Sequence, residues 1–258
     1  MVDDYFAGLE IDRPLSDVAG HAVPSMLAGS ADSFHEASRF QQDKGHLWMR
    51  QEWELNQPLS TRESYVAHAV IEDIYRRRNR TVVNTAMTLN NAADEVVVRS
   101  KHHQSFLLDE PVEQVQFRDP GKKEGARKFI VPEGSELESI DALVTLEMCG
   151  QFFHGSRSYH TDLNASLALG FQDVVVGGFM TMSYVGHLLE QYFGNNWWNA
   201  GRLDIKFTNP LWPDEHINIR GVATGPCPDD KTRQEVFAWI EKDDHTIVLI
   251  ANASAPLA

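Results

Sequence analysis

Apolar and polar positions alternate through much of this chain, and between the alternating runs they take up a helical spacing. In the first half, "LWMRQEWEL", "ESYVAHAVIEDIY", "RTVVNTAMTLNN" and "DEVVVRSKHHQSFLL" are rich in Val, Thr and aromatic residues. They read as strands, with Asn90, Asn91 and Asp94 supplying turn chemistry. Ahead of them, "VPSMLAGSADSFHEASRF" places Met26, Leu27, Phe34 and Phe40 near helical periodicity, with Pro24 and Ser25 at its start. The second half repeats the order. "DALVTLEMC" reads as a short strand that leads through "GSRSYHTD" to a short helix at "NASLALGF". "VVVGGFMTMSYVGHLLEQYF" follows and sets Met180, Tyr184, Leu188 and Tyr192 four apart on one helix face. Four strands close the chain, "GRLDIKFTNPLW", "HINIRGVATG", "RQEVFAWIEK" and "HTIVLIANAS", with Pro210, Pro213 and Asp214 marking a turn between the first two. Trp197 and Trp198 finish the helix or line an interface.

A helix this apolar cannot face water and is best buried by a curved sheet wrapped around it. The pattern therefore predicts an α+β chain of two halves, each a long helix wrapped by an antiparallel sheet. The halves are residues 1–108 and 138–258. Residues 109–137, dense in Pro, Gly and charge, read as an exposed and flexible linker.

Composition narrows the function classes. The chain has 258 residues, 42% hydrophobic and 23% charged, with a mean hydropathy of −0.35; these are globular proportions, and no apolar run reaches the ~20 residues that span a bilayer. The start, "MVDDYFAGLE", has no apolar stretch of the kind that directs secretion. A net charge of −14 argues against nucleic acid as a partner. The basic run at Arg76 to Arg80 reads as a solvated strand face, and a compact basic patch of this kind also suits the phosphates of an acidic carrier. Cys149 and Cys227 are far apart and have no metal-spacing neighbours, so the expectation is a reducing, cytoplasmic setting with both thiols buried. No histidine spacing suggests a metal site, and no phosphate loop, dinucleotide fingerprint or nucleophile elbow is present.

The order "GSRSYHTD", "NASLALGF", "VGGFMTM", "KFTNPLWPDE" resembles the MaoC-like acyl dehydratases, also called (R)-specific enoyl-CoA hydratases. "VPSMLAGSAD", "EWELNQPLSTRESY" and "IEDIYRRRNRTVVNTAM" are similar to the degenerate N-terminal domain of the same family. The resemblance implies a double hot-dog fold and a lyase that adds or removes water at an enoyl thioester. Coenzyme A or an acyl carrier would arrive as part of the substrate, with no further cofactor, no metal, no membrane and a homo-oligomeric state. By the same resemblance His160 stands at the family's motif histidine and Asp162 at the aspartate two residues on. The family's catalytic aspartate falls on Gly155, its asparagine and proline on Arg157 and Ser158, and its helix-start histidine on Gly177.

Hydration of an enoyl thioester needs a base for the water, an acid for the α-carbon and donors for the growing oxyanion. His160 is the candidate base, because its ordinary pKa lies near working pH. The Gly178 N–H, at the positive end of a helix, is the candidate oxyanion donor, although the glycine pair equally suits helix packing alone. Asp162 either orients the imidazole or caps the helix that opens near Asn164. His154, Ser156 and Arg157 are auxiliary candidates, with Arg157 best suited to an ion pair or a carrier phosphate. Two other readings follow from the glycine at 155: another lyase, isomerase or cyclase reaction on an activated substrate, or a non-catalytic acyl-binding subunit that needs a partner.

Overall fold

Val, Thr and aromatic side chains at every second position make the strands, and those that alternate inward are what the sheet closes around. The computed structural model describes residues 1–13, 22–29, 47–107, 129–155 and 157–256. In chain order these hold helix α1 (Val2–Leu9), strand β1 (Ala22–Val23), a 3-10 turn (Ser25–Ala28), β2 (Leu47–Leu55), β3 (Leu59–Ser60), β4 (Val66–Arg77), β5 (Arg80–Asn90) and β6 (Val96–Phe106). The second half adds β7 (Ser135–Glu136), β8 (Ile140–Val144), α2 (Leu146–Phe152), α3 (Leu163–Ala168), α4 (Gly178–Phe193) and α5 (Asn195–Ala200). It ends with β9 (Arg202–Phe207), β10 (Glu215–Pro226), β11 (Arg233–Lys242) and β12 (Ile247–Pro256).

Ten strands form one antiparallel sheet in the order β4-β5-β6-β2-β9-β12-β11-β10, with β7 and β8 both paired to β10. The halves meet edge to edge: β2 runs against β9 from Arg50 opposite Lys206 to Glu54 opposite Arg202. On the inner face, Met87, Ser100, Trp53, Leu203, Ala253 and Val236 form one buried row across both halves. The outer face carries charge, with Lys101, Glu52 and Asp204 side by side. His103 also lies on that face, between Tyr75 and Glu52 at 3.2 and 3.1 Å. Burial holds its pKa below the ordinary histidine value.

Helix α4 is the buried helix of the second half. Met180, Tyr184 and Leu188 are within the core, but Tyr192 is exposed. Steps of four advance about 40° beyond a full turn, so the fourth member of the series has rotated off the buried face. In the first half, the stretch read as a long helix shows the short 3-10 turn at Ser25–Ala28, and its continuation lies outside the described residues. The strand expected over 141–149 is shorter than read. It stops at Val144, where the Thr145 hydroxyl accepts the Met148 N–H (3.2 Å) and starts α2. The stretch read as linker also ends within the sheet, since Ser135 and Glu136 pair with β10. Just before them, Phe129 rests on the rings of Phe237 and Trp239. Trp197 is fully buried and donates its indole N–H to Ser25 Oγ (2.9 Å). Among the described residues no helix is long and apolar enough to cross a membrane.

Candidate active site

The chain leaves α2 through Phe153, turns at His154 and Gly155 with φ of 58° and 67°, and passes along the loop that ends at α3. Residues 174–177 then bring it back across that loop to the start of α4. The two passes meet at Gly177. A Cβ there would lie 2.4 Å from Phe153 Cζ and 3.5 Å from His160 Cγ, so the aromatic ring of Phe153 occupies the space of any side chain at that position.

His160 is half-buried and fixed on several sides. Its Nδ1 lies 2.7 Å from the carbonyl oxygen of Val175. A carbonyl only accepts, so Nδ1 carries the proton and Nε2 is the basic nitrogen of the neutral ring. Phe153 stacks on the imidazole (5.1 Å between centroids, 15° between planes), and Tyr159 leans on it at 3.8 Å. Together these contacts fix the orientation of the ring.

Of the two roles open to Asp162, the structure gives it the cap. Its Oδ1 accepts the Ala165 N–H (2.8 Å), and its Oδ2 pairs with Arg157 Nε (3.1 Å). The Ala165 N–H, and after it the Arg157 guanidinium, hold this carboxyl below the usual carboxylate range. Arg157 thus makes the ion pair expected of it, but inside the loop. His154 turns away to Asp4 of α1 (Nδ1 to Oδ2, 2.8 Å). Ser156 lies outside the described residues. A Cβ at Gly155 would meet nothing within 4 Å.

Gly178 opens α4 immediately beside Gly177, and the first intrahelical bond runs from Thr181 N–H to the Gly177 carbonyl (3.1 Å). The N–H groups of this first turn have no acceptor within the helix, and they sit at its positive end. Gly178 and Phe179 are half-buried, whereas Met180 to Glu190 are buried, so the helix is accessible at its start. A Cβ on Gly178 would lie 3.0 Å from Trp48 Cε3 and 3.3 Å from Phe207 Cε1. His160 and the helix start therefore share one accessible, aromatic-walled corner. Spacing alone missed the Val175 carbonyl and the rings of Phe153 and Trp48. A backbone oxygen leaves no mark on the sequence, but Phe152-Phe153 just ahead of the loop was a readable sign of packing.

Residues 157–243 match the family model described as MaoC like domain. No curated protein matches the sequence. Among solved structures, a MaoC-like dehydratase superposes with a TM-score of 0.76 at 13% identity, over 100% of this chain and 93% of its own. The full-length peroxisomal multifunctional enzyme type 2 of Drosophila melanogaster gives 0.73 at 14%, over 100% of this chain and 46% of that one. A Mycobacterium tuberculosis protein described as a double hot-dog fold gives 0.61 at 12%, over 99% and 86%. The sheet joined edge to edge across two halves has this same architecture. The chain has the double hot-dog fold, and residues 157–243 of its C-terminal half match the MaoC like domain.

Proposed function

We propose that the protein adds water to, or removes it from, the double bond of an enoyl thioester, with His160 as base. The observation that carries this reading is the 2.7 Å bond from His160 Nδ1 to the Val175 carbonyl. With the proton on Nδ1, Nε2 is the basic nitrogen of the neutral ring, and the ring lies beside Gly177, the residue before α4. The thioester oxygen would accept the Gly178 N–H, and the helix end would favour the negative charge that grows there. In this scheme Nε2 takes a proton from water as the oxygen bonds to the β-carbon, and the imidazolium returns that proton to the α-carbon. One imidazole therefore serves as base and then as acid. Coenzyme A or an acyl carrier would arrive as part of the substrate.

The test follows loss of crotonyl-CoA absorbance with wild type and His160→Ala. Hydration by the wild type should fall about 10²- to 10⁴-fold in the variant. Equal rates in the two proteins would overturn the assignment of the base.

A second reading is favoured by the engagement of both Asp162 oxygens with the Ala165 N–H and Arg157. A site with one base suits an isomerase, or another lyase step, as well as hydration. Turnover of a different acyl thioester, dependent on His160 and without net water addition, would select it.

A further inference from the structure

Two consecutive residues of the first half reach the second half's site. Leu47 packs against the cluster of Leu169, Phe171 and Val175, which also holds Tyr159. Trp48 lies against Gly178. An ordinary strand would not put it there. Arg50, Glu52 and Glu54 point to the charged outer face, and strict alternation would carry residue 48 with them. The ladder instead steps from Trp48 opposite Gln104 to Arg50 opposite His103, which leaves Met49 as the extra residue of a β-bulge. The bulge turns Trp48 to the inner face, the re-aiming that bulges commonly perform beside functional sites. The Trp48 indole N–H donates to the Arg50 carbonyl across it (3.2 Å).

Beside Trp48, on the same face of β2 and β6, runs a buried polar chain. The indole lies 4.6 Å from the ring of His102 and 5.2 Å from that of Phe207. His102 bonds to Gln51 (3.0 Å) and Gln104 (3.1 Å). Gln51 in turn donates to Ser100 Oγ (2.6 Å), which also accepts the Trp53 indole N–H (3.1 Å). His102, Gln51, Gln104, Ser100 and Trp53 are all buried, so the face that carries Trp48 is braced along the two strands.

We propose that Trp48 is the specificity-determining residue of this site, a fixed stop that restricts it to thioesters of short acyl chains. The inference rests on the enoyl thioester reading above. A carbonyl oxygen about 3 Å from the Gly178 N–H puts the neighbouring acyl carbons beside the indole. The carrier end must lead out to solvent, so the acyl end runs inward, toward the braced face.

The experiment is calorimetric titration of butyryl-CoA and decanoyl-CoA, which carry no double bond to hydrate, into wild type, Trp48→Phe and Trp48→Ala. Enoyl-CoA hydration at the same two chain lengths is followed in parallel. Wild type should favour the short chain. The preference for decanoyl over butyryl should rise about tenfold or more in Trp48→Ala, by the usual worth of filling or freeing a hydrophobic pocket. Trp48→Phe, which keeps an aromatic ring in place, should show a smaller rise in the same direction. A ratio that is the same in wild type and Trp48→Phe, or wild-type binding of decanoyl-CoA as tight as butyryl-CoA, would overturn the proposal. So would failure of both thioesters to bind. A shifted binding ratio in proteins that hydrate nothing would keep Trp48 as the stop and reject the hydration reading instead.

Discussion

Ser25 and Glu190 stand 165 positions apart and meet in the interior. Glu190 Oε1 accepts both the Ser25 N–H (2.9 Å) and the Ser25 hydroxyl (2.7 Å). The Trp197 indole donates to the same hydroxyl oxygen (2.9 Å). Burial pushes the Glu190 carboxyl up to about 7, and the two bonds from Ser25 only partly oppose it. A pKa raised on folding means the folded state binds the proton more tightly than the unfolded chain. The resulting stability is whole below the unfolded value near 4.5 and is lost as pH rises toward 7. Over that window the loss is about 3 kcal/mol, at 1.36 kcal/mol per pH unit. Glu190→Gln keeps an oxygen for Ser25 but has no proton to lose. Denaturant midpoints at about pH 5 and pH 7.5 should therefore fall in wild type and stay nearly level in the variant, beyond any slope common to both. Parallel midpoints in the two proteins would show that the carboxyl titrates elsewhere.

Helix α1 packs across α2, and the contact is tight enough to test by a single methyl group. A Cβ on Gly8 would lie 2.6 Å from the backbone of Phe152, which cannot swing aside as a side chain can. Gly8→Ala would gain up to about 1 kcal/mol of helix propensity. Overpacking costs about 1–3 kcal/mol, so the net expectation is a loss. The displacement would also reach the site, because Phe152 packs edge-on against Phe153 (5.0 Å), and Phe153 stacks on His160. A lower thermal midpoint together with weaker His160-dependent turnover would confirm the coupling; a raised midpoint would contradict it. Helix α1 was not read from the sequence, although Asp3 and Asp4 in its first turn are an ordinary helix-start signal. Its eight residues are too few to show a period. Strands were far more legible: the bounds read for β2 and β11, 47–55 and 233–242, agree with the structure, because alternation in a half-buried sheet is explicit at each position. His160 and Gly178 were legible as candidates through the order of motifs. The bulge at Met49 was not, since an extra residue in one strand is visible only against its partner strand.

Nothing in the sequence says that β2 and β9, some 150 positions apart, lie side by side, yet that seam joins the two halves into one ten-stranded sheet. Ion pairs and buried apolar contacts both cross it, Arg202 to Glu54 (3.2 Å) among the former, and two of these features differ in magnitude. On the outer face Arg50 holds Asp204 through two bonds of 2.7 and 2.8 Å, and Asp204 is the main reason the guanidinium binds its proton more tightly. Both side chains are about a third exposed, and Arg50 also reaches Glu52 (3.2 Å). Solvent screening and this alternative partner limit their coupling to about 1 kcal/mol or less. On the inner face Trp53 stands opposite Leu203 and is almost wholly buried. Trp53→Ala should cost about 3–5 kcal/mol, from lost burial and the cavity left behind. It would also remove a donor from Ser100, and so loosen the chain through Gln51 and His102 on which Trp48 rests. Denaturant midpoints for Arg50→Ala, Asp204→Ala, the double variant and Trp53→Ala decide which feature holds the halves together. The expected result is a small coupling that fades as salt is raised, beside a large, salt-independent loss at Trp53. A coupling above about 2 kcal/mol that persists in high salt would move the burden to the ion pair. The seam would then be an electrostatic joint, and the site wall built from β2 would depend on ionic strength in a way that burial alone does not allow.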